Sequence, residues 1–115
     1  MNLKKLLTGN EAIAEGIIES EVEVVTGYPG TPSTEVILNL LPQKEELGMH
    51  IEWSTNEKVA FEIAAGAAWA GKRALVTMKM SGVNVAADSL ASIAYSGCTG
   101  GLVTVSYTHL TLPTN

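Results

Sequence analysis

Glu57 is the side chain whose type and position raise the question of acid–base chemistry. It opens the stretch NEKVAFEIAAGAAWAG, residues 56–71, which is almost entirely small and apolar. Ser54 and Glu57 have the S-x-x-E spacing of a capping box, in which each side chain satisfies a free backbone N–H group. A carboxylate also suits the positive end of the helix dipole. The alternative is that Glu57 reaches a group outside this chain. On spacing alone we favour the capping box, because capping is common and catalysis is rare.

The stretch GYPGTPS, residues 27–33, predicts a tight turn that exposes its backbone between a strand and a helix. The helix N-terminus that follows can attract an anion. The stretch lacks the G-x-x-x-x-G-K-S/T pattern of a P-loop and also lacks G-x-G-x-x-G. The residues alone therefore favour an ordinary turn, in which Thr31 caps the next helix and Pro32 takes its first helical position.

Other residues that can do chemistry are interpreted structurally. His50 stands at the start of a predicted strand, and Lys79 begins a strand-end loop. We expect Trp53 and Trp69 to belong to the core. No Ser/His/Asp arrangement and no carboxylate spacing typical of a metal site is apparent. Cys98 is the single cysteine, which excludes an internal disulfide and a cysteine cluster for zinc or iron–sulfur.

Composition limits the classes of protein that fit. The 115 residues give room for one domain, and nearly half of them are apolar. The formal net charge is -5 and the seven basic residues are scattered, so we expect no nucleic-acid partner. No apolar run is long enough to span a bilayer, and no signal peptide is evident. We therefore expect a cytoplasmic protein with a small ligand or a protein partner.

Segments with strand and helix patterns alternate along the chain. The predicted strands are rich in β-branched or apolar residues, and they cover residues 22–27, 49–53, 73–78 and 101–105. The predicted helices cover residues 9–20, 31–41, 56–70 and 84–96. This alternation predicts an α/β fold with a parallel sheet and helices on both faces.

Turn residues and loop positions place a candidate site. We expect Thr8 or Asn10 to cap the first helix, Pro42 to stop the second, and Gly71 to close the third. The loops at residues 28–31, 54–57 and 79–84 all follow strands, so they should meet at the sheet edge where ligands bind. The helix at residues 56–70 is apolar nearly all round, which predicts cover from the sheet and from another domain or subunit.

Four longer stretches together carry a family resemblance. They are LLTGNEAIAEG, VVTGYPGTPSTEV, EWSTNEKVAFEIAAGAAWAGKRALVTMK and GVNVAADSLASIAYSG. Over about residues 5–104 the sequence resembles the start of the alpha subunit of indolepyruvate ferredoxin oxidoreductases. These enzymes are thiamine-diphosphate-dependent 2-oxoacid:ferredoxin oxidoreductases. The resemblance implies a pyrimidine-binding (PYR) domain, truncated here, which shares the cofactor with a second domain.

The resemblance also implies a mechanism. In this family a glutamate of the PYR domain forms a hydrogen bond with N1′ of the aminopyrimidine and favours its imino tautomer. The 4′-nitrogen then removes the proton from thiazolium C2, and the ylide attacks the 2-oxo carbon of an arylpyruvate. Carbon dioxide leaves, electrons pass through iron–sulfur clusters to ferredoxin, and the acyl group goes to coenzyme A.

Residue by residue, Glu57 in TNEKVA matches the family glutamate. The resemblance therefore reverses the preference for a capping box, because a side chain that reaches back to residue 54 cannot also reach the cofactor. Five other residues match loops that lie near the pyrimidine in related enzymes, and the resemblance implies that they bind the cofactor: Pro29, Gly30, Thr31, Gly82 and Asn84.

Other parts of the family pattern are missing from this chain. We find no G-D-G…N-type motif for Mg²⁺ and diphosphate, and no cysteine motif for a 4Fe–4S cluster. We therefore expect a fragment, inactive alone, whose complete enzyme binds Mg²⁺, 4Fe–4S clusters and coenzyme A elsewhere. The implied partners are an arylpyruvate, ferredoxin and a beta subunit, in an oligomer of two alpha and two beta chains.

The end of the chain departs from the family pattern. Residues 105–115, VSYTHLTLPTN, resemble the translation of a transposase adapter at the end of a sequencing read. We expect the PYR domain to occupy residues 1–104 and residues 105–115 to be a non-native read-through tail. The alternative is a divergent C-terminus with a β-like segment.

Two other functions stay open. The first is another thiamine-diphosphate-dependent 2-oxoacid decarboxylase built on the same domain. The second is a non-catalytic α/β binding module. Cysteine-rich cluster motifs farther along the gene would favour the oxidoreductase, and their absence would favour the decarboxylase.

Overall fold

The computed structural model of this chain describes residues 6–31 and 33–106. Pro32 and residues 107–115, most of the expected tail, lie outside the described residues. Helices and strands alternate along the described part: α1 (Gly9–Glu19), β1 (Val24–Gly27), α2 (Thr34–Leu40), a 3₁₀ helix (Leu41–Gln43), α3 (Lys44–Leu47), β2 (His50–Trp53), α4 (Glu57–Trp69), β3 (Ala74–Met78), α5 (Gly82–Ser96) and β4 (Leu102–Ser106).

The four described strands form one parallel sheet in the order β2-β1-β3-β4. The predicted α/β fold is confirmed, with strand bounds within two residues of those expected. All five residues of β3 are buried, as its apolar composition predicts for a central parallel strand. The chain moves from β1 outward to β2 and then returns past β1 to β3. The boundary between β1 and β3 is therefore the topological switch point, where ligands bind in such sheets.

Each face of the sheet carries its own core. The first core joins α1 and α2 to the sheet: Ala14, Ile17, Val25, Val36, Ile37, Leu40, Met49, Ile51 and Leu75. The second joins α4 and α5 to the opposite face: Ala60, Phe61, Ala64, Ala65, Ala74, Val76, Met78, Ala86 and Ile93. The prediction of helices on both faces is thus confirmed. No helix within residues 6–31 and 33–106 is long and apolar enough to cross a membrane.

Two helices end in the same hydrogen-bonded turn. After both α1 and α4, the two residues beyond the C-cap donate to carbonyls of the last turn in the Schellman pattern. The left-handed position of this motif is occupied by Gly71 after α4, with φ 91, as expected. After α1 it is occupied by Glu21, with φ 57, where a side chain is sterically disfavoured. The end of α1 therefore stores backbone strain that the end of α4 avoids.

The α-helix α2 ends at Leu40 with Leu41 as its C-cap, so the expected stop before Pro42 is confirmed. Pro42 lies in the first turn of the short 3₁₀ helix that follows, and α3 begins after it. A proline is tolerated there because the N–H groups of a first helical turn have no intrahelical partner to lose. Gly48, at φ 65, ends α3.

The alanine-rich helix α4 is covered within this chain on two sides, by the sheet and by α5. The expectation that another body must cover all its remaining surface is therefore too broad. Trp69 is 55% exposed and donates its indole N–H to the Gly97 carbonyl at 2.7 Å, and Trp53 is 37% exposed. The prediction that both tryptophans belong to the core is wrong, since each lies at the end of its helix or strand, beyond the close-packed interior.

Candidate functional site

The loops that follow β1, β2 and β3 meet at one edge of the sheet, as predicted. Gly30 of the first loop lies against Lys79 of the third, and a Cβ atom built on Gly30 would be 2.8 Å from Lys79 Cβ. Glu57, after the second loop, lies against Gly82, after the third. This edge, formed by the carboxyl ends of parallel strands, is the candidate site.

Glu57 is the first residue of α4 and is buried, with 4% of its surface exposed. The helix is capped by Asn56, whose Oδ1 accepts a hydrogen bond from the Val59 N–H at 2.9 Å. The capping box between Ser54 and Glu57 does not form, and Ser54 Oγ is buried without a hydrogen-bond partner. Because Asn56 does the capping, the Glu57 side chain is free for another role.

The Glu57 side chain packs against the start of α5. A Cβ atom built on Gly82 would lie 2.6 Å from Glu57 Cγ and 2.8 Å from its Oε2. Among the described residues, no hydrogen bond or ion pair involves the Glu57 carboxylate. The site therefore presents a nearly enclosed acceptor that this part of the chain does not satisfy.

The expected third loop is shorter than residues 79–84. Gly82 is the first residue of α5 rather than a loop residue, and Asn84 is exposed in the first turn of that helix. The reason is that the N–H groups of residues 82–84 donate to the carbonyls three residues before them, at residues 79–81, and these hydrogen bonds start the helix early. The structure thus brings Gly82 to Glu57 but leaves Asn84 at the surface.

Thr26, which the sequence analysis did not single out, holds the first turn of α4 on the sheet. Its hydroxyl is completely buried and donates to the Ala60 carbonyl at 2.7 Å. Ala60 lies one helical turn after Glu57, so this bond fixes the part of α4 that carries the carboxylate. The available signal was a hydroxyl in an otherwise apolar buried strand, VVTG.

The loop after β1 folds around Gly30. The Gly30 N–H donates to Thr34 Oγ1 at 2.7 Å, and the Ser33 hydroxyl donates to the Gly30 carbonyl at 3.1 Å. Thr31 is exposed and does not cap α2, so that prediction is wrong, because the helix begins at Thr34 with Ser33 in the cap position. Pro29 is also exposed. The loop therefore places Gly30, whose N–H and carbonyl are both hydrogen-bonded within the loop, between two exposed residues beside the switch point.

Gly27 and Thr77 are neighbours in the register of β1 and β3, directly below this loop. A Cβ atom on Gly27 would lie 2.5 Å from Thr77 Oγ1 and 2.6 Å from Ile37 Cδ1. Thr77 is fully buried, and its hydroxyl has no hydrogen-bond partner. The absence of a side chain at Gly27 therefore lets β1, β3 and α2 close at the switch point.

A cavity of about 490 Å³ lies at the opposite edge of the sheet. Its lining includes Glu21, Glu23 and Arg73, which lie near the amino ends of the strands. Ligands in open parallel sheets bind at the carboxyl ends of the strands, so this cavity is not the candidate site. Within the described ranges, no group of three or more His, Cys, Asp or Glu side chains is arranged to hold a metal ion.

Comparison with known proteins gives close relatives. The chain is 52% identical over 107 residues to indolepyruvate oxidoreductase subunit IorA of Archaeoglobus fulgidus, covering 90% of this chain and 17% of that protein. It is 48% identical over 102 residues to the protein of the same name from Pyrococcus horikoshii, covering 89% and 16%. It is 26% identical over 86 residues to 2-oxoglutarate synthase subunit KorA of Methanocaldococcus jannaschii, covering 75% and 24%. The chain therefore spans about a sixth of the length of the IorA relatives.

A solved structure has the same fold. The 2-oxoglutarate:ferredoxin oxidoreductase from Magnetococcus marinus superposes with a TM-score of 0.80 at 24% identity, covering 91% of this chain and 18% of that one. The family model for pyruvate flavodoxin/ferredoxin oxidoreductases, thiamine diphosphate-binding, matches residues 15–104, which is most of the chain. The chain therefore belongs to the thiamine-diphosphate-binding part of the pyruvate flavodoxin/ferredoxin oxidoreductase family.

Proposed function

We propose that this chain is the pyrimidine-binding part of an indolepyruvate:ferredoxin oxidoreductase alpha subunit. The complete enzyme would convert an arylpyruvate and coenzyme A to an acyl-CoA and carbon dioxide, and two electrons would pass to ferredoxin. The proposal is supported by the six IorA relatives, which are 48–52% identical to this chain.

The observation that carries the proposal is the position of Glu57, a residue 4% exposed whose carboxylate accepts no hydrogen bond from the described residues. A largely buried acceptor with no protein donor gains stability when a ligand supplies the donor. The N–H of a protonated aminopyrimidine nitrogen is such a donor, and an ionised acceptor makes that hydrogen bond strong. When bound, thiamine diphosphate supplies the electron sink that 2-oxoacid decarboxylation needs.

Each site residue then has a proposed task. Glu57 accepts the hydrogen bond of ring atom N1′ and holds the proton at that atom. Gly30 is proposed to lie beside the cofactor, where its missing side chain lets the first loop pack against Lys79, and Pro29 and Thr31 are proposed to border the site. Asn84, exposed in the first turn of α5, is proposed to contact the cofactor.

The remaining cofactors and partners are proposed to belong to other parts of the complete enzyme. These are Mg²⁺, the 4Fe–4S clusters, coenzyme A, ferredoxin and the beta subunit, in a cytoplasmic hetero-oligomer. We also propose that the domain occupies residues 1–104 and that residues 105–115 are read-through. Since β4 ends at Ser106, this boundary falls within β4. A longer read of the gene would test it, because a native continuation different from VSYTHLTLPTN is expected.

Substitution of Glu57 in the complete enzyme tests the assignment. Glu57→Gln preserves the shape of the side chain but replaces an anionic acceptor with a neutral amide. Turnover should fall by about 10²–10⁴-fold, the usual range for the loss of a positioned proton-transfer partner. Glu46→Gln, at an exposed glutamate of α3, is the matched control and should leave turnover unchanged. Near-normal turnover of E57Q at saturating thiamine diphosphate would refute the assignment.

The substrate class is tested by comparing kcat/KM for indolepyruvate, phenylpyruvate, pyruvate and 2-oxoglutarate. We expect the arylpyruvates to be preferred, because the IorA relatives are about twice as similar to this chain as the 2-oxoglutarate synthase relative. A preference for 2-oxoglutarate would assign the enzyme to that second activity. Release of an aldehyde without reduction of ferredoxin would instead identify a simple decarboxylase.

A further inference from the structure

We infer that Gly82 is a positioning residue, whose missing side chain leaves the space that the Glu57 carboxylate occupies. The inference rests on the proposed function of Glu57 and refines the role of Gly82, for which the resemblance implies a direct contact with the cofactor. The structure favours a different role, in which Gly82 acts on the cofactor through Glu57.

The backbone of Gly82 does not require glycine. Among the described glycines, only those at positions 48, 71 and 97 have positive φ, and Gly82 has a conformation that any L-residue can adopt. It is the first residue of α5, where a glycine lowers helix stability relative to alanine. A requirement for glycine at position 82 must therefore come from space rather than from backbone geometry.

The space at Gly82 is filled by three atoms of one side chain. A Cβ atom there would lie 2.6 Å from Cγ, 2.8 Å from Oε2 and 3.0 Å from Cδ of Glu57. Favourable contacts between such atoms need about 3.5–4.0 Å, so the overlap is on the order of 1 Å. No other residue is among the three nearest atoms. A methyl group at this position therefore collides with the carboxylate arm and with nothing closer.

Hydrogen bonds hold both backbones against this overlap. The Gly82 N–H donates to the Lys79 carbonyl at 2.9 Å, which ties the start of α5 to the end of β3. The first turn of α4 is held by the Asn56 cap and by the Thr26 hydroxyl. Rotation of the Glu57 side chain relieves part of the overlap and carries the carboxylate away from its position, and the remaining overlap strains the first turn of α4, to which that side chain is attached. A displacement of about 1 Å at a reacting group can cost about 10²-fold in rate.

The test is a double-mutant cycle in the complete enzyme, with thiamine diphosphate affinity and turnover as readouts. Gly82→Ala alone should weaken thiamine diphosphate binding by about tenfold and lower turnover by about 10–100-fold. In the Glu57→Ala background the same substitution should cause no further loss, because the colliding atoms are gone. Gly9→Ala is the matched control, since Gly9 is also the first residue of a helix and a Cβ there meets nothing within 4 Å.

A cofactor-free measurement separates the steric effect from the chemistry. Hydrogen–deuterium exchange of the apoenzyme should show faster exchange in residues 56–62 when G82A is introduced into the wild type or into E57Q. The increase should be absent in the E57A background, because only the wild type and E57Q retain the Cγ, Cδ and terminal oxygen atoms of this side chain. Gln and Glu have the same shape, so equal responses would identify a collision rather than an effect of charge.

The possible failures are distinguishable. If G82A weakens cofactor binding as much in the E57A background as in the wild type, Gly82 contacts the cofactor directly and the inference is overturned. Equal exchange rates with and without G82A in the wild type would also overturn it. If instead the exchange coupling is present but E57Q retains normal turnover, the steric contact stands and the proposed function of Glu57 fails.

Discussion

The hydrogen bond from Thr26 to Ala60 offers a measurable test of how α4 is held on the sheet. Thr26→Val replaces a buried hydroxyl by a methyl group of similar size, and valine suits a strand at least as well as threonine. The Ala60 carbonyl keeps its intrahelical hydrogen bond, so the substitution removes only one of the two hydrogen bonds that this oxygen accepts. The expected cost is therefore that of one net hydrogen bond plus a methyl group facing a carbonyl oxygen, about 1–2 kcal/mol.

Urea unfolding of the chain, followed by circular dichroism, measures this cost. With an m-value of about 2 kcal/mol per molar urea for a domain of this size, the midpoint should fall by about 0.5–1 M at unchanged m. The control is Thr104→Val in β4, where the side chain is exposed and the change should stay within about 0.5 kcal/mol. A midpoint of T26V equal to or above that of the wild type would show that the Thr26 hydroxyl does not hold α4.

Two further changes in stability are expected, both measured by the same unfolding assay. Glu21→Gly should raise the free energy of unfolding by about 0.5–1 kcal/mol. Glycine relieves the left-handed strain after α1, and this gain exceeds the free-energy cost of the extra conformational entropy that glycine gives the unfolded chain. Gly71→Ala, in the same motif after α4, should do the reverse, and a destabilised E21G would contradict this account. Thr77→Val should be neutral or stabilising by up to about 1 kcal/mol, because it removes a buried hydroxyl without a partner. A loss of more than that amount would indicate that a water molecule or ligand satisfies the Thr77 hydroxyl.

The sequence was sufficient for the arrangement of layers but not for every boundary. Buried β-branched runs such as the one around Val25 and the glycine at position 71 mark strands and helix ends through local physics. The first residues of the helices were harder to predict, because several residues that can cap a helix stand close together in the sequence. Ser54 and Asn56 both precede α4, and only the path of the chain between β2 and α4 decides that Asn56 caps.

The candidate site was predicted in part. The strand-end rule brought the three loops together, and the family resemblance selected Glu57, whose role stays a prediction. The partner of its side chain, Gly82, was placed in the right region but in a loop rather than at the start of α5. The contact itself depends on how α4 and α5 pack, which local sequence does not encode. Thr26 was missed for the same reason, since its hydroxyl matters only through the helix that lies across it.

The contact between Glu57 and Gly82 also determines when the site forms during folding. A whole helix and a strand, α4 and β3, separate the two residues along the chain. Closing a connection of this length has a modest entropic cost, and in the folded chain α4, β3 and α5 pack together in the second core. The carboxylate therefore reaches its final orientation together with the second core, so a nascent polypeptide acquires this arrangement only once α5 has been synthesised.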